Sequence, residues 1–395
     1  MSDKHLMPTY ARQPVTFVSG DGCWLTDERG QRYLDGVAGI AVCNLGHCHP
    51  AVTRTLSEQA ATLVHTSNLY RIPAQEALAD LLCQVSGMDK VFFSNSGAEA
   101  NEAAIKLARL FGHHKQVDNP AIVVMESAFH GRTLATLTAT GNRKAQAGFE
   151  PLVSGFIRAP WNDVAALERI IQSNKNIVAV LLEPIQGEGG INVPASDYLE
   201  NVRALCDQHD LLMMLDEIQT GNARTGTYFA FQHSSARPDV VTTAKGLGNG
   251  FPIGACLTSG KASELFGPGS HGSTYGGNPL GCATALTVVS TLSREVMPGV
   301  AKRGEYLRQA LRESLADISL VMDIRGVGLM TGVQLDRDCA ELVGLCRERG
   351  LLVNVTAGSV VRLVPPLVIS ESEIDQLVRI LADAVQEFAR NQEAA

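Results

Sequence analysis

Between residues 90 and about 260 the chain repeats one pattern: a short, almost wholly apolar run, a break of small or polar residues, then a longer amphipathic stretch. Apolar runs of strand length lie at 121–125, 177–182, 211–215, 240–243 and 253–258. Helical periodicity occupies 99–111, 163–172 and 197–208, read from apolar spacing. A strand apolar on consecutive residues must be covered on both faces, and helices that alternate with such strands supply the cover. The pattern predicts an α/β fold, a large domain with a mostly parallel sheet flanked by helices.

After Asn278 the pattern changes to long helical stretches, then to strand-like runs at 320–324, 329–335, 351–355 and 361–364. A smaller α+β domain is expected there. Its last helix has a clear start: Pro365-Pro366 cannot continue a ladder, and Ser370 and Glu373 have capping-box spacing before Ile374, Leu377, Ile380 and Leu381. The glycine-punctuated N-terminal part is expected to pack on this domain. The expected division is 1–50 for that segment, 51–290 for the large domain and 291–395 for the small one.

The formal net charge of −8 argues against a nucleic-acid partner. No apolar run approaches the ~20 residues of a membrane helix, and residues 1–10 show no signal-type apolar core, so a cytoplasmic location is expected. Nine cysteines without a C-x-x-C pair fit reduced thiols. Cys43, His47, Cys48 and His49 are the one metal-like cluster. Immediate neighbours in sequence do not readily converge on one ion, and no metal is expected.

Three constellations carry chemistry. Ser94-Asn95-Ser96-Gly97-Ala98-Glu99 follows a strand-like run and opens a helix; free amides at a helix N-terminus suit a phosphate, although Ser96 and Glu99 also read as a plain capping box. Leu211–Leu215 runs into Asp216, placing a carboxylate where open α/β sheets bind ligands, although Asp is also a common helix N-cap. Lys245 stands among small residues, Thr243-Ala244-Lys245-Gly246. Desolvation there would make its amine nucleophilic, whereas a lone lysine in a glycine-rich loop is more often simply solvated.

Together these motifs resemble the fold-type I pyridoxal-phosphate enzymes, specifically the class III aminotransferases. The matching runs are Gly46-His47-Cys48-His49-Pro50, Asn95 to Glu102, Phe129-His130-Gly131-Arg132, Glu183-Pro184-Ile185-Gln186-Gly187-Glu188-Gly189-Gly190, Asp216-Glu217-Ile218-Gln219, Lys245-Gly246-Leu247-Gly248 and Gly272-Ser273-Thr274-Tyr275-Gly276-Gly277-Asn278-Pro279. Their order and spacing match from about Tyr10 to Phe388. Within the class, Gly36 to Val42, Ser67-Asn68-Leu69-Tyr70 and Gly269 to Gly277 are similar to the acetylornithine aminotransferases. One departure is visible: where the family usually reads Gly-Met-Gly-Arg-Thr-Gly, this chain has Gly221-Asn222-Ala223-Arg224-Thr225-Gly226.

The resemblance implies pyridoxal 5'-phosphate as cofactor, held covalently by Lys245, with Asp216 at its ring nitrogen. It implies Gln219 at the phenolic oxygen, Phe129 stacked on the ring, Ser96, Gly97 and Ala98 at the phosphate, and Glu217 and Ile218 alongside. Thr274 is implied to reach the phosphate from a second subunit of a homodimer. Arg132, Ser273, Glu188 and Arg362 are implied on the substrate side, Arg132 for a carboxylate and the last two as a salt bridge that opens for the 2-oxo acid. Without the resemblance, Arg132 reads as a surface ion pair and Glu188–Arg362 as a fixed interdomain pair. The implied activity is transfer of an ω-amino group from acetylornithine, or from succinylornithine, ornithine, 4-aminobutyrate or a diaminopimelate derivative, to 2-oxoglutarate. A decarboxylase or aminomutase on the same fold, or a regulator without turnover, is the further alternative; for the regulator a missing lysine or aspartate is the expected signature.

Overall fold

The computed structural model describes residues 5–393. A central sheet has seven strands in the order Lys90–Ser94, Gly254–Thr258, Val240–Thr243, Leu212–Asp216, Ile177–Leu182, Ala121–Met125 and Phe156–Ala159. The last five are mutually parallel, and Gly254–Thr258 runs against both its neighbours.

Successive side chains of a strand point to opposite faces, and here both directions are buried. Val123, Val180, Met213 and Leu215 enter one apolar cluster, while Ile122, Val124, Ala179, Leu212 and Met214 enter another on the opposite face. The near-continuous apolar runs are thus explained by cover on both sides. The helix Gly97–His114 supplies Ala103, Ala104, Leu107, Ala108 and Phe111 to the second cluster. Helix Val164–Ser173 starts at Asp163, whose carboxylate accepts from the Ala166 amide at 2.8 Å.

Two smaller sheets lie outside this body. One joins Phe17–Asp21, Trp24–Asp27 and Arg32–Asp35 to Leu351–Leu352; the other orders Val321–Val327, Met330–Leu335, Val360–Leu363 and Asn354–Thr356. The run 351–355, expected as one strand, is therefore two. Leu351 and Leu352 pair in parallel with Leu34 and Asp35, whereas Asn354 to Thr356 pair with Val360 to Arg362. Its two partners come from opposite ends of the chain, which no local apolar pattern reveals. Leu34 and Leu45 share a core with Leu307, Val333, Leu363, Leu377 and Phe388.

The last helix, Glu371–Glu393, begins with the expected box: Glu373 accepts from the Ser370 amide at 2.9 Å and donates its own amide to Ser370 Oγ at 3.3 Å. The other oxygen of Glu373 accepts from Trp24 Nε1 at 2.8 Å, fastening the N-terminal segment to this helix. Among the described residues no helix is long and apolar enough to cross a membrane. His47 Nε2 lies 2.7 Å from Asp35 Oδ2.

Candidate active site

A cavity of about 410 Å³ opens at the carboxyl edge of the parallel strands, where this architecture binds its ligands. Asp216 closes the middle strand of the sheet, Glu183 follows Ile177–Leu182, Phe129 follows Ala121–Met125, and Lys245 follows Val240–Thr243; all four line the cavity. Ser96, Gly97 and Ala98 line it from the start of helix Gly97–His114. First-turn amides of a helix have no acceptor within it, so Gly97 and Ala98 offer donors there. A side chain at 97 would meet Ile218, since its Cβ would lie 2.7 Å from Ile218 Cδ1. Only half of the capping box forms: the Glu99 amide donates to Ser96 Oγ at 3.2 Å, while the Glu99 carboxylate accepts from the Asn95 amide at 2.6 Å instead of the Ser96 amide.

Asp216 is 4% exposed and firmly braced. Its Oδ2 accepts from His130 Nδ1 and from Asn101 Nδ2, both at 2.8 Å, and Oδ1 accepts from the Ile218 amide at 3.1 Å. Asn101 is itself held by Thr242 Oγ1 at 2.7 Å. No lysine or arginine among the described residues pairs with Asp216. Glu183 accepts from the Phe129 and Gly187 amides at 2.9 and 3.0 Å, and burial pushes its carboxyl up to about 7.

Lys245 is partly open because it lines the cavity, yet the surrounding protein is dense enough that desolvation lowers its amine to about 8. Glu188 opposes that shift and Arg362 adds to it. Arg362, 1% exposed, pairs with Glu188 through Nη1, which also donates to Gln219 Oε1 at 3.3 Å; its Nη2 donates to Asn354 Oδ1 at 2.6 Å. Burial alone would raise the Glu188 carboxyl, but the guanidinium outweighs it and holds the group below the usual range. Arg132 is exposed at the cavity, 5.6 Å over the Phe129 ring, and makes no ion pair among the described residues.

Most of the residues singled out from sequence thus converge: Ser96, Gly97, Ala98, Phe129, Arg132, Asp216, Ile218, Gln219 and Lys245 share one cavity. Glu217 is placed otherwise. It follows Asp216 at the strand end and turns to the opposite side, where its carboxylate accepts from Thr220 Oγ1 and from the Ala230 and Phe231 amides. Ser273 and Thr274 line a neighbouring hollow with Asn95, Glu99 and Glu102. Sequence reasoning singled out no role for His130, Asn101 or Glu183. Asn101 carried a readable signal, a polar residue on the helix face otherwise formed by Ala100, Ala104 and Ala108.

A family model for class-III aminotransferases matches residues 7–385. The acetylornithine aminotransferase of Nitrosomonas europaea is 55% identical over 375 residues, 95% of each chain. Among solved structures, an ornithine aminotransferase from Toxoplasma gondii, described with partial occupancy of PLP at its active site, superposes with a TM-score of 0.94 at 33% identity, covering 98% of this chain and 94% of that one. The N-acetylornithine aminotransferase of Stenotrophomonas maltophilia K279a gives 0.85 at 36% identity, covering 97% and 98%. The chain belongs to the class-III aminotransferases, enzymes that transfer amino groups with pyridoxal phosphate.

Proposed function

We propose that this aminotransferase moves the terminal amino group of N-acetyl-L-ornithine to 2-oxoglutarate, giving N-acetyl-L-glutamate 5-semialdehyde and L-glutamate, a step of arginine biosynthesis. The observation that carries the reading is the asymmetry of two arginines: Arg132 faces the cavity unpaired, whereas Arg362 is covered by Glu188. Acetylornithine presents one carboxylate, far from its reacting amine, and needs one open guanidinium. 2-Oxoglutarate presents two and needs the second arginine as well. The names of the similar proteins support the same donor.

The cavity suits pyridoxal phosphate. A buried carboxylate that faces a cavity without a lysine or arginine partner is costly, and Asp216, held only by His130, Asn101 and the Ile218 amide, is such a group; a protonated ring nitrogen would complete it. In this reading Gly97 and Ala98 amides, with Ser96, hold the phosphate at the positive end of their helix. Phe129 and Gln219 line the same cavity and would cover the ring and meet its phenolic oxygen. Bound, the group supplies an aldehyde that condenses with amines and a ring that withdraws electrons.

Lys245 lines the cavity and its Nζ would hold the group covalently between turnovers. Its depressed basicity keeps a usable fraction of neutral amine near pH 8. With its amine free, Lys245 would take the proton from the amine-bearing carbon of the donor and hand it on, a general-base and general-acid role. His130 and Asn101 keep Asp216 aimed during both halves. Arg132 orients the donor through its carboxylate by a guanidinium fork.

A homodimer completes the reading. Ser273 and Thr274 lie outside the cavity of their own chain; Ser273 Oγ accepts from Asn95 and the Gly276 amide, while Thr274 is exposed and available to a second chain. Exposed Leu63, Val64, Leu69, Tyr70 and Tyr275 lie on segments tied together by Asn68 Nδ2, which donates to the Gly276 carbonyl at 2.9 Å, and they provide an apolar surface for that copy. The nine cysteines are free thiols, in keeping with the cytoplasmic setting of this proposal. The test is a panel of amino donors with 2-oxoglutarate. N-Acetylornithine should give the highest kcat/KM; a higher value for ornithine or 4-aminobutyrate would overturn the donor assignment.

A further inference from the structure

Asn222 occupies the point at which the sequence departs from its family, and its side chain reaches the backbone that carries Lys245. It is wholly buried with φ of +56°, and Ala223 follows at +68°. Left-handed backbone is uncommon for residues other than glycine, and asparagine is among those that tolerate it. The Nδ2 group donates to the Ala244 carbonyl at 3.0 Å and lies 2.9 Å from Thr243 Oγ1. Oδ1 accepts from the Tyr228 hydroxyl at 3.1 Å. The Ala244 carbonyl belongs to the peptide that leads into Lys245, and Lys245 itself sits at φ +43°. Besides Asn222, that carbonyl accepts from the Leu247 amide at 2.9 Å.

A second set of bonds extends the connection. The Asn222 carbonyl accepts from Asn44 Nδ2 at 2.8 Å, and Asn44 Oδ1 accepts from Arg224 Nη2 at 2.6 Å. Arg224 Nη1 donates to the Leu329 and Pro365 carbonyls at 3.0 and 2.6 Å. The peptide before Lys245 is thereby joined to the segment that follows Arg362.

We propose that Asn222 is a positioning residue, whose amide holds the Ala244–Lys245 peptide in its left-handed turn and so aims the Lys245 amine into the cavity. A side chain without an N–H at this position could not donate to that carbonyl. The proposal rests on Lys245 being the covalent anchor. Small errors in the placement of a reacting group reduce rate far more than affinity.

The test compares the purified holoenzyme with Asn222→Gly, which tolerates the backbone angle and removes the side chain, and with Asn222→Asp, which keeps its shape but lacks the donor. Three quantities are read: thermal midpoint, the pH at which the visible absorbance of the lysine–cofactor linkage changes, and kcat against KM for acetylornithine. Both variants should fold and hold cofactor, with a displaced absorbance midpoint and kcat lower by about tenfold to 10²-fold at little changed KM. If Asn222→Gly does not fold, Asn222→Asp alone carries the test. A folded variant with the parent's absorbance midpoint and kcat would overturn the proposal. Borohydride reduction of the parent, with the adduct mapped, separates the two possible failures. An adduct away from Lys245 defeats the anchor itself, while an adduct on Lys245 beside an unmoved variant defeats only the role of Asn222.

Discussion

The sheet side of the cavity and the Glu188–Arg362 pair that adjoins it through Gln219 are built differently. On the sheet side, Asp216 is 4% exposed, and its oxygens are taken up by His130, Asn101 and the Ile218 amide. On the side beyond Gln219, Glu188 has a side chain 34% exposed and is held by Arg362, whose Nη1 also donates to Gln219. The first arrangement has no spare freedom: moving Asp216 would leave several buried donors unpaired, each at about 1–3 kcal/mol. The second has an exit, because Glu188 is able to turn to water. Breaking a buried ion pair outright costs about 3–5 kcal/mol, but a substrate carboxylate that takes the place of Glu188 restores the charge balance. The rigid side therefore suits the partner common to both half-reactions, and the yielding side suits the feature by which the two substrates differ.

The comparison breaks most severely if the rigid side is removed. Asp216→Ala should lower kcat by on the order of 10²–10³-fold, the scale seen when a preorganised electrostatic group is deleted, and should weaken cofactor retention on dilution. A variant with near-parent kcat would mean that Asp216 is only a structural brace.

A smaller effect is expected on the yielding side. In Glu188→Gln the cover over Arg362 weakens, and the single-turnover rate with glutamate relative to acetylornithine should rise by roughly tenfold, the equivalent of about 1.4 kcal/mol. An unchanged ratio would leave the pair as a fixed contact.

The smallest effect is on Lys245 basicity. In protein stripped of cofactor, acylation of this amine requires its neutral form, so its rate should rise with pH through a midpoint at about 8. Glu188 favours the charged amine, and Glu188→Gln should move the midpoint lower. A higher midpoint would contradict the charge arrangement.

The two sides also differ in how far they can be read in sequence. Strands Ala121–Met125, Ile177–Leu182 and Val240–Thr243 have the bounds that their apolar runs imply, because each is covered on both faces and local composition reports it. The ligands at their ends follow, since a carboxylate or lysine that terminates such a run stands out. Bracing contacts do not. His130 and Asn101 meet Asp216 across 86 and 115 residues, and the contact depends on how helix and strand stack. In sequence Asn222 is legible only as a departure that bears on loop conformation and substrate fit and touches no catalytic position, because its partner Ala244 becomes a neighbour only when adjacent strands Leu212–Asp216 and Val240–Thr243 pair. Glu217 shows the opposite failure, a motif residue whose side chain faces away from the cavity.

The central claim, that the cavity works through Lys245, is tested most directly by reducing the purified yellow protein with borohydride and mapping the modified peptide. The account predicts loss of the visible absorbance and one reduced adduct, on Lys245, the lysine that lines the cavity. An adduct on Lys106 or Lys261, which donate instead to Ser270 and Asp210 outside it, would contradict the account.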